Sequence, residues 1–158
     1  MRAISDTSPI SYLLLIGESG ILPALYERIF IPQAVATELT HTEAPPVVRE
    51  WMAKPPAWLE IRLVQPRIPR DLRHLDPGER EAILLAEDLR ADQVVIDDWE
   101  AREAAARRGL MVTGLVGILD QAARRSIIDL AGVVERLRRT SFHVAPWLLK
   151  DLLDRHVR

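Results

Sequence analysis

Four groups of acidic residues stand where a short apolar run ends or a helix begins. They are Asp6 in Ile4-Ser5-Asp6-Thr7-Ser8, Glu38 in Val35-Ala36-Thr37-Glu38-Leu39, Glu79 and Glu81 in Gly78-Glu79-Arg80-Glu81-Ala82, and Asp97-Asp98 after Val94-Val95-Ile96. In an open α/β sheet, loops beyond the carboxyl ends of the strands converge on one crevice. Several carboxylates in such a crevice, with few basic residues close to them in sequence, suit a hard divalent cation.

Each acid also has a local reading. Asp6 is a favoured residue type to cap a helix starting near Pro9. Asp97 is placed to form a capping box with Glu100, which leaves Asp98 the freer of the pair. Asp76-Pro77-Gly78-Glu79 is itself a capping box, with Asp at N-cap, Pro at N1 and Glu at N3. That box accounts for Glu79 and makes Glu81 the preferred candidate. Glu38 falls at the end of a helix, where its charge opposes the macrodipole by roughly 0.3–1 kcal/mol. An exposed surface glutamate is the alternative there.

Other chemistries are excluded or unsupported. The chain has no cysteine, so disulfides, thiol catalysis and zinc–thiolate sites are out, in keeping with a reducing cytoplasm. His41, His74, His143 and His156 are scattered and match no metal-binding spacing. No P-loop, G-x-G-x-x-G after a strand, or G-x-S-x-G motif is present. A phosphohydrolase with Asp6 as nucleophile would want a second Asp two residues on, where Ser8 stands. The four tryptophans read as core or interface residues rather than base-stacking platforms. No apolar run reaches the roughly 18 residues of a membrane span.

The 158 residues, 48% of them hydrophobic, suit one domain over 1–158. Net charge is −2, unevenly spread: from Arg124 onward there are 8 basic and 4 acidic residues, against 13 and 19 before it. An acidic body with a basic C-terminal segment is compatible with a metal site beside a phosphate-binding surface, or with a solvated arginine-rich helix.

The elements that would position the acids follow from patterning. Strands are expected at Arg2–Ser5, Ile29–Ile31, Val94–Ile96 and Leu110–Val112. Helices are expected at Pro9–Ile16, Ala34–Thr40, behind Asp76, at Trp99–Arg108 closed by Gly109, from Gly114 to Arg125, at Leu130–Arg139 and at Pro146–Arg155. A proline-rich excursion at about 41–70 holds a short helix near Val47–Ala53. It also holds an alternating run, Leu59–Leu63, that suits an edge strand. The alternation of strand and helix predicts a three-layer α/β/α fold with a central, mainly parallel sheet.

These pieces, in this order, resemble the PIN domain, in its branch of small prokaryotic proteins of unknown function. The resemblance rests on Ile4-Ser5-Asp6-Thr7-Ser8-Pro9, Ile31-Pro32-x-Ala34-Val35-x-x-Glu38-Leu39, Leu75-Asp76-x-Gly78-Glu79-x-Glu81-Ala82, Val95-Ile96-Asp97-Asp98-x-x-Ala101-Arg102 and Gly109-Leu110-x-Val112-x-Gly114. It implies a Mg²⁺- or Mn²⁺-dependent endoribonuclease, commonly the toxin of a toxin–antitoxin pair. RNA would be the substrate, with an antitoxin protein and a second copy of the chain as partners. Carried over residue by residue, Asp6, Glu38, Glu81 and Asp98 match the catalytic, metal-holding acids, with Asp97 competing for the last place. Ser8 matches a supporting hydroxyl. Arg124 and Arg125 are available to an RNA backbone, though spacing does not place them. The Glu81-for-Asp change also leaves room for a non-catalytic PIN-like module that binds nucleic acid or protein.

Overall fold

A computed structural model describes residues 1–156. Five strands form one sheet in the order β3-β2-β1-β4-β5, every pairing parallel. The strands are β1 (Arg2–Ser5), β2 (Arg28–Pro32), β3 (Leu59–Arg62), β4 (Gln93–Val95) and β5 (Val112–Thr113). Their side chains alternate between two apolar cores, as the period of two requires. Ala3, Ile29, Ile31 and Val95 face one core, and Ile4, Phe30, Val94 and Ile96 face the other.

The first core is covered by α1 (Thr7–Leu15), α2 (Ile21–Leu25), α3 (Gln33–Leu39), α4 (Pro46–Ala53), α7 (Leu115–Arg124), α8 (Leu130–Arg138) and α9 (Pro146–Arg155). The second is covered by α5 (Pro77–Asp88) and α6 (Trp99–Arg107), whose small residues Ala82, Ala86, Ala101, Ala104 and Ala105 lie against the sheet. This is the expected three-layer α/β/α arrangement with a parallel sheet. Parallel strands buried on both faces explain the short, unbroken apolar runs in the sequence.

The proline-rich excursion contributes α4 and the edge strand β3, with Arg62 over the Phe30 ring at 5.4 Å. Three local expectations shift. The first helix begins at Thr7, directly after Asp6. The helix expected at Ala34–Thr40 runs over Gln33–Leu39, with Pro32 as its N-cap. The last strand starts at Val112 rather than Leu110. The cause of that last shift is visible at the end of α6: Gly109 has φ +79, its amide donates to Ala106, and the Leu110 amide donates to Ala105. This Schellman closure uses the backbone that a longer strand would need.

Because all strands run the same way, their carboxyl ends share one edge of the sheet. Chain order reverses direction between β1 and β4, the switch point where such folds bind ligands. Asp6 follows β1 there, and Asp97 follows β4. No helix among the described residues is long and apolar enough to cross a membrane.

Candidate metal centre at the switch point

Asp6 continues the edge of the sheet, its amide donating to the Val95 carbonyl at 2.9 Å. It occupies the N-cap position of α1, yet its side chain makes no capping bond. The carboxylate is therefore free of structural duty, although only 6% of the residue is exposed. Glu38 reaches the same place from the last turn of α3, and the Thr7 hydroxyl donates to its carboxylate. The donor is thus Thr7, while Ser8, expected to support the acids, is exposed.

Gly78, in the first turn of α5, is the floor beneath both acids. A Cβ at this position would lie 3.0 and 3.1 Å from the two Glu38 carboxylate oxygens and 3.3 Å from Asp6 Oδ1. Three oxygens from two residues thus converge on one point, and glycine is required for close approach rather than for an unusual φ.

The electrostatics follow from this crowding. Burial pushes the Asp6 carboxyl up to about 7, against the Thr7 amide, with the charges of Asp76, Glu79 and Glu38 adding to the rise. Glu79 is likewise pushed up to about 7, first by burial, then by Asp76, Asp98 and Glu38, with the Asp76 amide opposing. Burial also raises Glu38, while the Thr7 hydroxyl opposes and Asp76 adds to the shift. Among the described residues no Arg, Lys or His forms an ion pair with Asp6, Glu38 or Glu79. Carboxylates crowded at a buried or half-buried site without a counter-charge favour either protonation or a cation.

Glu79, which its capping box accounts for, also acts on this group through its charge, which raises Asp6. The box is real: the Glu79 amide donates to Asp76 at 2.8 Å, and the Asp76 amide donates back to Glu79 at 3.1 Å. Glu81 points elsewhere. Its carboxylate accepts from the Ala34 amide at 3.2 Å, and it borders a hollow with Arg80 and the Val64–Ile68 segment. The N-cap of α3 is Pro32, which has no capping side chain, so Glu81 satisfies an orphan amide from 47 residues away.

Asp97 does the same for α7. Its Oδ1 accepts from the Leu115 amide at 2.8 Å, across the end of the sheet from the N-cap Gly114. A Cβ on Gly114 would stand 2.8 Å from that oxygen and 2.3 Å from an Arg102 nitrogen. The expected Asp97–Glu100 box does not form. Asp98 is the N-cap of α6, accepting from the Ala101 amide at 3.0 Å, because Ile96 is still bonded to Thr113 and the helix starts one residue later. Burial raises the Asp97 carboxyl, the Leu115 amide and Arg102 opposing, and Asp97 Oδ2 is buried without a hydrogen-bond partner.

The acids named from sequence therefore do not form one ring. Asp6 and Glu38 meet over Gly78, and Glu79 is near enough for its charge to raise Asp6. Asp98 is near enough to Glu79 to raise it, Asp97 is tied to α7, and Glu81 is tied to α3. Among the described residues no three Asp, Glu, His or Cys side chains stand as a ready set of ligands. The arrangement suits an ion held by one or two carboxylates with waters completing its shell, as Mg²⁺ commonly is. The carboxylates over Gly78, which have no cationic partner, and the orphan oxygen of Asp97 supply hard donors of the right kind. Arg124 and Arg125 are far from this site. They end α7, whose ten residues run back from the acid edge over about 15 Å. There Arg124 pairs with Asp120 and Arg125 reaches the Ala24 carbonyl.

Comparison with known proteins agrees with this architecture. The family model DUF3368, a PIN domain, matches residues 2–157. A PilT N-terminus domain protein from the hyperthermophilic archaeon Sulfolobus solfataricus P2 superposes with a TM-score of 0.53 at 14% identity, over 91% of this chain and 100% of that one. At that identity the likeness concerns the fold. No curated protein matches the sequence.

Proposed function

This chain belongs to the PIN-domain family, whose members are typically metal-dependent nucleases, and from that premise we propose that it is a Mg²⁺- or Mn²⁺-dependent endoribonuclease. The observation that carries the reading is the convergence of the buried Asp6 and half-buried Glu38 carboxylates over Gly78, without a cationic partner. In this proposal Asp6 and Glu38 hold the cation. Glu79 stands in the place the sequence suggested for Glu81, and Asp98 and Asp97 close the far side of the crevice.

A bound cation would supply an acidified water and charge neutralisation at the phosphorus. The protein's own part is positional. Thr7 fixes the Glu38 carboxylate, Gly78 leaves room for both acids, and the end of β1 holds Asp6 rigid. Covalent catalysis by the chain is not needed, which fits a crevice of carboxylates.

The family resemblance supports a role as the toxin of a toxin–antitoxin pair, with the protein acting in the cytoplasm as a homodimer. Cleavage of RNA with Mg²⁺, abolished by EDTA and by Asp6→Asn, is the expected result. Undiminished cleavage by Asp6→Asn would defeat the assignment. Folded protein that binds RNA or a protein but takes up no Mn²⁺ in calorimetry would instead identify a non-catalytic binding module.

A further inference from the structure

Beside the acids, a cleft of about 360 Å³ opens between the start of α6, the end of β5 and the segment leading into α9. Trp99, Arg102, Thr113, Phe142 and His143 line it, and Asp97, which follows β4 at the same carboxyl edge as Asp6, borders it as well. Trp99 is the first residue of α6, next to Asp98, and it is 70% exposed. Trp51 and Trp58, by contrast, pack on one another at 5.7 Å against the first core. An indole left in water beside a functional crevice gives nothing to the core and invites a partner.

Arg102 follows Trp99 by three residues, so the two project from one face of the helix. Its guanidinium spends one contact on the Ile96 carbonyl at 3.3 Å and lies against Gly114. A guanidinium has five N–H donors, so most remain available. On the other flank Trp99 and Arg102 share a second hollow with the exposed Met111. The shelf is therefore open on both sides.

We propose that Trp99 and Arg102 form a binding shelf for single-stranded RNA, with a base stacked on Trp99 and the adjoining phosphate held by Arg102, on the β4–β5 side of the carboxyl edge that carries Asp6 and Glu38. Exposed aromatics combined with arginine are how single strands are held without sequence readout. A duplex keeps its bases stacked on each other and has none to offer. The positive Arg102 beside a cluster of acids also gives the polyanion one favourable contact at a site that otherwise repels it. This inference rests on the ribonuclease reading and adds the residues that would hold the strand.

The test is fluorescence anisotropy with a labelled mixed-sequence oligoribonucleotide, single-stranded or annealed, in EDTA at low salt, where cleavage does not intervene. Wild-type protein should bind the single strand more tightly than the duplex. Trp99→Ala should weaken single-strand binding about tenfold. Trp99→Phe should keep most of it, and Arg102→Ala should weaken both forms. Leu63→Ala, an 83% exposed apolar residue beyond the opposite edge strand, should change nothing. Mn²⁺ binding by calorimetry should be equal in wild type and Trp99→Ala. Wild-type single-strand affinity in Trp99→Ala would overturn the shelf while leaving the nuclease reading intact. Protein that binds Mn²⁺ but neither RNA form would overturn both. Loss of self-association in Trp99→Ala, with RNA binding unchanged, would make the shelf a protein-docking surface and overturn the proposal.

Discussion

The hydroxyl of Thr7 donates to the carboxylate of Glu38 and thereby ties the first residue of α1 to the last turn of α3. The bond has two effects. It fixes a glutamate that crosses from a helix end to the carboxyl edge of the sheet, and it favours the ionised form against the burial that raises its pKa. Thr7→Val keeps the shape and removes the donor. RNA cleavage at neutral pH should fall about tenfold and recover in part at higher pH, as Glu38 ionises without help. A pH profile identical to wild type would show that the bond has no part in activity.

Glu79 and Glu81 give opposite predictions. Glu79→Gln should weaken Mn²⁺ binding and cleavage at least tenfold, since the Glu79 charge is felt at Asp6 and the Glu38 charge at Glu79. Glu81→Gln should leave both near wild type and cost at most about 0.5–1.5 kcal/mol of stability, the worth of one hydrogen bond to the Ala34 amide. Calorimetry and urea unfolding on the two variants decide the matter; the reverse pattern would restore Glu81 to the site.

Stability of the metal-free protein should depend on pH with an unusual sign. Asp6 and Glu79 are both pushed up to about 7, so the native state holds these protons more tightly than the unfolded chain does. Their contribution is greatest below the ordinary carboxylate range and is lost as pH rises through about 7. In EDTA, the free energy of unfolding should therefore drop between pH 5 and pH 8, by on the order of 2–4 kcal/mol at most for a buried group such as Asp6. Asp6→Asn should flatten the slope and be the more stable protein at pH 8. Urea titrations at four pH values would expose the opposite trend if it existed.

Cation binding should run the other way. The ligands must lose their protons to bind a metal, so Mn²⁺ affinity should rise as pH passes through about 7, and added Mn²⁺ should raise the melting temperature most at pH 8. A metal-induced shift in melting temperature that is the same at pH 6 and pH 8 would disconnect these acids from the ion.

Gly78→Ala puts one methyl group within 3.0–3.3 Å of three carboxylate oxygens. Those oxygens must move by a few tenths of an ångström, which is small for the fold and large for a metal site. Cleavage should fall about a hundredfold with stability lowered by about 1 kcal/mol or less. A variant that keeps full activity would show that the two acids need not converge there.

Much of the architecture was legible in the chain because its signals are local. Apolar runs of three or four residues, the Asp76–Glu79 box, Gly109 at a helix end and the alternation of strand with helix depend on neighbours a few residues apart. From them follow a parallel sheet and a shared carboxyl edge, which brings Asp6, Glu38 and the acids after β4 to the same end of the molecule. The role of each acid was not local. Asp6 sits at an N-cap position but caps nothing, Glu81 caps a helix 47 residues away, Asp97 caps another 18 residues away, and Asp98 takes the cap assigned to Asp97. Which amides lack partners is decided when Pro32 and Gly114, neither with a capping side chain, are brought against α5 and β4. The sequence by itself determined that acids would gather at one edge of a parallel sheet. Tertiary packing decided which were consumed in capping distant helices and which, over Gly78, were left without a counter-charge.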